Sequence, residues 1–134
     1  IKWHPQDVYY YSVENSNFMP NDHRTEGSFS KYSSLDDKID WLHYHTTTVK
    51  FGIGRATYDS AQEIRNGDIT REEGVALIKR FDGEFPQQYI HDCCNYMDIT
   101  MQQYHDAIEK FRSPHLWRKI NGNWQLKSPI WKDD

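Results

Sequence analysis

A chain of 134 residues with 16 Lys and Arg against 20 Asp and Glu carries a formal net charge of −4, which excludes nucleic-acid binding driven by a broad basic field. The length fits one domain able to bury roughly two-thirds of its unfolded surface, while a mean hydropathy of −0.95 implies a thin core under a polar surface. Aromatic residues make up 15% and supply the missing apolar bulk, because a Trp or Tyr body can be buried with its polar tip wet. No stretch approaches the roughly 18 apolar residues of a membrane span, and no charged-then-apolar signal segment opens the sequence, so a cytoplasmic place without membrane contact is expected. The sequence starts abruptly at Ile1-Lys2-Trp3-His4-Pro5, with an aromatic segment already under way, and reads as the C-terminal fragment of a longer protein.

Within 1–50 the pattern predicts a linker helix, a polar loop and a second helix. Pro5 suits a first helical position, and Val8, Tyr10 or Tyr11, and Asn15 share one face, although the run Tyr9-Tyr10-Tyr11 leaves a strand as the competing assignment. Met19 to Ser34 is a long polar loop, and long ordered loops are often functional. Ser34-Leu35-Asp36-Asp37 reads as a helix start with Ser34 as cap, followed by a stripe of Leu35, Ile39, Leu42, Thr46 and Val49.

Gly52 and Gly54 separate that helix from the next, whose buried face is marked by Ala56 or Thr57, Ala61 and Ile64 before a left-handed stop at Asn66-Gly67. Thr70 with Glu73, and Thr100 with Gln103, form two capping boxes offset by one constant interval, and Phe85-Pro86 opens a helix through about Tyr96. The portion 51–112 is therefore expected to hold two helical hairpins. The fold class predicted is mainly α, a compact bundle of two helical hairpins plus preceding helices. The portion 113–134 adds a small β-hairpin and tail, for which Asn121-Gly122 is the turn signal, with Trp117 opposite Leu126 and Lys119 opposite Trp124.

Two constellations could carry chemistry. Arg24, Glu26 and Lys31, with neighbouring serines, concentrate charge-assisted donors, an acceptor and hydroxyls suited to a phosphate, carboxylate or sugar; the same residues also fit a solvated loop of turns and caps. Gly52, Gly54 and Arg55 could bring backbone amides and a cation to an anion, or form a close helix–helix turn with Arg55 paired to Asp59. The histidines lack ligand-like spacing, and the adjacent Cys93-Cys94 read as two reduced thiols on a helix, so no metal site is expected. Trp3, Trp117, Trp124 and Trp131 suit either core packing or a sugar-stacking surface.

Asn21-Asp22-His23-Arg24-Thr25-Glu26-Gly27, Lys31-Tyr32-Ser33-Ser34, Asp36-Asp37-Lys38-Ile39-Asp40 and Lys50-Phe51-Gly52-Ile53-Gly54-Arg55-Ala56-Thr57 occur in that order. Asp68-Ile69-Thr70-Arg71-Glu72-Glu73-Gly74, Arg80-Phe81-Asp82-Gly83-Glu84-Phe85-Pro86 and Phe111-Arg112-Ser113-Pro114-His115-Leu116-Trp117 follow. Together these strings resemble the C-terminal region of the N-acetyl sugar amidotransferase family of bacterial surface-polysaccharide and lipopolysaccharide biosynthesis. Trp41, His45 and Cys93-Cys94 are less typical of it than the strings around them.

The resemblance implies an ATP-pyrophosphatase (PP-loop) enzyme using ATP with Mg, which adenylates an acetamido oxygen of a nucleotide sugar and lets ammonia displace AMP to leave an acetamidino group. It also implies an N-terminal PP-loop domain in the same chain, with glutaminase and ammonia-channel subunits as partners. The phosphate loop and Cys-x-x-Cys pairs of that domain do not occur in these residues, which alone are expected neither to bind cofactor nor to turn over. The resemblance favours a substrate- or nucleotide-binding role for Arg24, Glu26, Lys31, Gly52, Gly54 and Arg55, as clamps around charge that develops during adenylation. The alternative is a non-catalytic helical module that docks a glutaminase or mediates dimerisation.

Overall fold

Pro5 occupies the first position of helix α1 (Pro5–Asn15), where a missing N–H leaves no bond unmade, and the computed structural model, which describes residues 3–132, has helix and not strand there. Ile1, Lys2, Asp133 and Asp134, the outer ends of the expected linker helix and tail, lie outside the described residues. No residue of α1 is buried. Tyr9, rather than Val8 or Tyr11, makes the packing contact, stacking on Tyr32 with ring centroids 4.7 Å apart.

The polar segment that follows has no helix or strand, yet Thr25, Ser28, Ser30 and Ser33 are buried, so it is not a solvated loop. Its short polar side chains let the backbone bond to itself: Asn21 N–H donates to Lys31 O, Thr25 N–H to Ser30 O, and the Thr25 hydroxyl to Ser33 O.

Helix α2 (Ile39–Phe51) starts later than expected. Ser34 has φ 55°, a left-handed conformation foreign to an N-cap, and its hydroxyl instead bonds the Asp40 carboxylate and Tyr44 Oη. Asp37 Oδ1 accepts the Ile39 N–H in its place. Leu42 and Val49 are buried as the spacing predicts, but Trp41, Tyr44, His45 and Thr48 join them while Leu35 is exposed.

Helices α3 (Arg55–Asn66) and α4 (Arg71–Phe81) form the first hairpin across a left-handed Gly67. Small residues set its closeness, since a Cβ on Gly74 would lie 2.7 Å from Ile64 Cδ1. The buried face of α3 is Ala56, Ser60 and Glu63, one step round from the expected Ala61 and Ile64. Helix α5 (Ile90–Tyr96) begins after, not at, Phe85-Pro86, because the Glu26 carboxylate takes the Gln88 N–H and holds 87–89 as a turn. Helix α6 (Met101–Phe111) completes the second hairpin, and both predicted capping boxes are present with reciprocal bonds.

The apolar core lies between α2, α5 and α6, where Leu42, Val49, Ile90, Cys93, Cys94, Tyr104 and Ile108 meet, with Ile99 packed against them. Both thiols are unpaired and buried, and burial pushes each above its ordinary range, which makes them poor nucleophiles. Strands β1 (Trp117–Ile120) and β2 (Asn123–Leu126) pair antiparallel in the predicted register around Asn121 and Gly122, both at positive φ. The Trp117 indole N–H donates to Val49 O at 2.8 Å, and Glu109 Oε1 accepts the Trp124 indole N–H, so the hairpin is fastened to α2 and α6. No helix among the described residues is long and apolar enough to cross a membrane.

Thr100→Ala removes the hydroxyl that accepts the Gln103 N–H, and is expected to lower the unfolding free energy by about 1 kcal/mol in a urea titration, with Thr100→Ser close to wild type. An unchanged midpoint for Thr100→Ala would show that the cap contributes nothing.

Candidate functional site

Three carboxylates gather the donors of the polar segment and of the turn between α2 and α3. Glu84 receives the Arg24 guanidinium in a bidentate pair, with both N–O distances 2.6 Å, and also accepts the Gly27 N–H at 2.9 Å. Arg24 lies over the Phe81 ring as well. Burial pushes the Glu84 carboxyl up, but the Arg24 bonds and charge with the Gly27 amide outweigh it and hold the group below the ordinary carboxylate range. Asp59 accepts Arg55 Nε at 2.8 Å and the Ser28 hydroxyl at 2.5 Å. The remaining Arg55 donors reach Tyr44 Oη and Ser33 Oγ.

Asp82 accepts the Gly54 N–H at 2.9 Å, the Thr57 N–H at 3.1 Å and the Thr57 hydroxyl. This lock explains Gly54, and a left-handed helix end explains Gly52. Gly52 ends α2 with φ 73°, and Gly54 passes so close to Asp82 and the Thr48 hydroxyl that an added Cβ would lie 2.7 Å from Asp82 Oδ1.

The expected site residues thus fall into separate places. Arg24, Glu26, Gly54 and Arg55 are engaged within the chain, Glu26 through the Gln88 amide, with its carboxyl raised by burial. Lys31 is exposed. Only Gly52 of the six lines the cleft beside this turn. As arranged, this turn does not fit a nucleotide phosphate, because Asp82 already holds the Gly54 and Thr57 amides that an anion would need. Asp59 was foreseen as the partner of Arg55, whereas Asp82 and Glu84 were missed from sequence, although Asp82-Gly83-Glu84 falls within one of the family-like strings.

The cleft has a volume of about 520 Å³ and opens between the end of α2, the turn at Asp82-Gly83, the β-hairpin and the tail. That is the size of ordinary small-molecule sites. Its apolar wall is Trp117, Trp124, Trp131 and Ile53, and its polar lining includes His45, Thr48, Asp82 and Arg112. Three of the tryptophans that suited either core or ligand surface therefore share one cavity, whereas Trp3 does not line it. Arg112 lies over Trp117, 4.6 Å from the ring centroid, and 5.6 Å from that of Trp124. His45 Nδ1 is 2.7 Å from Tyr104 Oη, and its pKa is lowered to about 4 by burial first, then by the charges of Arg112 and His105. Among the described residues no group of three or more His, Cys, Asp or Glu is placed to hold a metal ion.

These features define a mainly helical domain in which a buried polar segment and a β-hairpin flank an aromatic cleft. The chain matches, over residues 26–130, the family described as LPS biosynthesis protein WbpG-like, C-terminal domain, and it belongs to that family. The match begins within the polar segment, two residues after Arg24, covers α2 through β2 and ends at residue 130, leaving out α1. No curated protein matches the chain closely enough to be called a relative.

His45 makes stability pH-dependent in a defined direction. Unfolded, its pKa is near 6.5; folded, about 4, so between these values the unfolded chain binds the extra proton. The stabilisation is fully present above about 6.5 and is lost as pH falls toward 4, by up to about 1.4 kcal/mol per pH unit. Glu26 and Glu63, both raised by burial, act in the opposite sense, so the informative quantity is a difference between variants. Denaturation between pH 6.5 and 4.5 is expected to show a steeper loss for wild type than for His45→Gln; equal slopes would remove His45 from this role.

Proposed function

We propose that this chain is the C-terminal domain of an ATP-dependent N-acetyl sugar amidotransferase, which converts an acetamido group of a nucleotide sugar to acetamidino in lipopolysaccharide biosynthesis. The observation that carries the reading is where the family-like strings meet. The string at 50–57 contributes Gly52, Ile53 and Thr57 to the cleft, that at 80–86 contributes Asp82 and Gly83, and that at 111–117 contributes Arg112 and Trp117. Strings at 21–27 and 31–34 brace the same wall through Arg24–Glu84 and Arg55–Ser33. Segments far apart in sequence converge on one cavity, which is the arrangement of a site rather than of a spacer.

In this reading ATP and its Mg are held by an N-terminal PP-loop domain of the same chain, and ammonia comes from glutaminase and channel subunits. The reaction balances with ammonia and ATP alone: the acetamido oxygen attacks the α-phosphate, pyrophosphate leaves, ammonia adds to the activated carbon, and AMP departs with that oxygen. Arg24, Glu26, Gly54 and Arg55 act as positioning residues that fix the cleft wall. Gly52 shapes its rim, and the exposed Lys31 stays available to a neighbouring domain.

The full-length enzyme, given an acetamido nucleotide sugar, ATP and an ammonium salt, is expected to release AMP and pyrophosphate in step with a product in which one oxygen is replaced by NH. Product formation without ATP consumption, or ATP cleaved only to ADP, would defeat the assignment.

A second reading, a module that docks a glutaminase or a second copy, is favoured by one observation: α1 buries no residue and exposes Val8, Tyr10, Tyr11 and Val13. Under it, the double change Tyr10→Ser and Tyr11→Ser in the full-length enzyme abolishes assembly with the glutaminase, or self-association, in light scattering, and leaves amidation from added ammonia intact. Assembly that survives the double change rules it out.

A further inference from the structure

The cleft holds two charged side chains in opposite situations. Asp82 has its oxygens occupied by Gly54 and Thr57. Arg112, half-buried, takes part in none of the ion pairs among the described residues, and its Nε is enclosed without a hydrogen-bond partner. Glu109, the acid whose charge acts on Arg112, makes no ion pair with it and already accepts from Lys119 and from the Trp124 indole.

Contact with the Trp117 and Trp124 rings restrains the guanidinium but consumes none of its N–H donors. A guanidinium taken partly out of water with no counter-anion is costly, and burial accordingly lowers its proton affinity. Neighbouring His45 is kept neutral by burial and by the same positive charge, so no second cation competes for a ligand. Trp131 and Ile53, both exposed apolar side chains, line the same cavity of about 520 Å³.

We propose that the cleft is a binding site for a small ring compound bearing one anionic group, with the anion paired to Arg112 and the ring set against the Trp117, Trp124 and Trp131 wall. The planar donor fork of Arg suits a carboxylate or a phosphate equally. The inference rests on the cleft alone and not on the amidation reaction, so each stands if the other fails.

The test uses the 134-residue chain, its tryptophan fluorescence and calorimetry, with two matched pairs of probes: D-glucuronate against D-glucose, and uridine monophosphate against uridine. At least one anionic member is expected to bind about tenfold or more tightly than its neutral partner, as a desolvated charge-assisted pair requires, and the pair that discriminates identifies carboxylate or phosphate. Arg112→Gln is expected to abolish the discrimination, whereas Arg118→Gln, exposed on β1, keeps it. Should Arg112→Gln fail to fold, Trp131→Ala must weaken both members of the discriminating pair alike. Equal affinity for anionic and neutral probes, no binding of either anion, discrimination that survives Arg112→Gln, or full affinity in Trp131→Ala overturns the proposal.

Discussion

The structure depends on carboxylates that replace apolar contacts as the means of fixing irregular backbone. A chain of such low hydropathy has too few aliphatic side chains to seal a polar segment of some twenty residues against a helix pair. Instead Asp59, Asp82 and Glu84 each collect donors from positions remote in sequence, including Gly27, Ser28, Gly54 and Thr57. A buried backbone N–H left alone costs about as much as a lost hydrogen bond, and a carboxylate satisfies several at once with charge-assisted strength. That is why the segment is buried at Thr25, Ser28, Ser30 and Ser33 with no regular secondary structure of its own.

The same device determines what the cleft is able to recognise. Glycine-flanked amides before a helix commonly bind anions, but here Asp82 serves as a permanent internal anion for the amides of Gly54 and Thr57. Recognition must then come from side chains. Those available are aromatic faces fastened through indole N–H bonds to Val49 O and to the Glu109 carboxylate, together with Arg112 and His45. The hairpin is small, and an isolated pair of strands would be marginal in water. Its two tryptophan anchors therefore hold the cleft wall as well as the fold.

Much of this fold was legible because local signals were strong and agreed with one another. Thr70-x-x-Glu73 and Thr100-x-x-Gln103 fix helix starts by local chemistry, and Asn121-Gly122 fixes a hairpin register for the same reason. Errors arose where a distant group overruled a local preference. Ser34 looked like a cap but is drawn to Asp40 and Tyr44, and Pro86 looked like a helix start but Glu26 holds the Gln88 amide. The candidate site suffered most from this. Arg24 and Arg55 had the composition of anion clamps, and no pattern along the chain reveals that the anion of Arg24 is Glu84, sixty residues away. The Arg55–Asp59 spacing alone signalled the pairing that is found.

Arg112 shows the converse. It sits in an unremarkable sequence position at the end of α6, and nothing local distinguishes it from Arg118 or Lys119. Its distinction is relational. The acids that could neutralise it are committed elsewhere: Glu109 to Lys119 and Trp124, Asp82 to the turn before α3. Other cations without a carboxylate partner, such as Arg118, stand in solvent, whereas Arg112 is partly buried in the cleft with its Nε enclosed, and the physical consequence is a cavity whose unmet electrostatic demand is for negative charge. The locks that hold the chain closed are thus the reason its open face retains a preference at all.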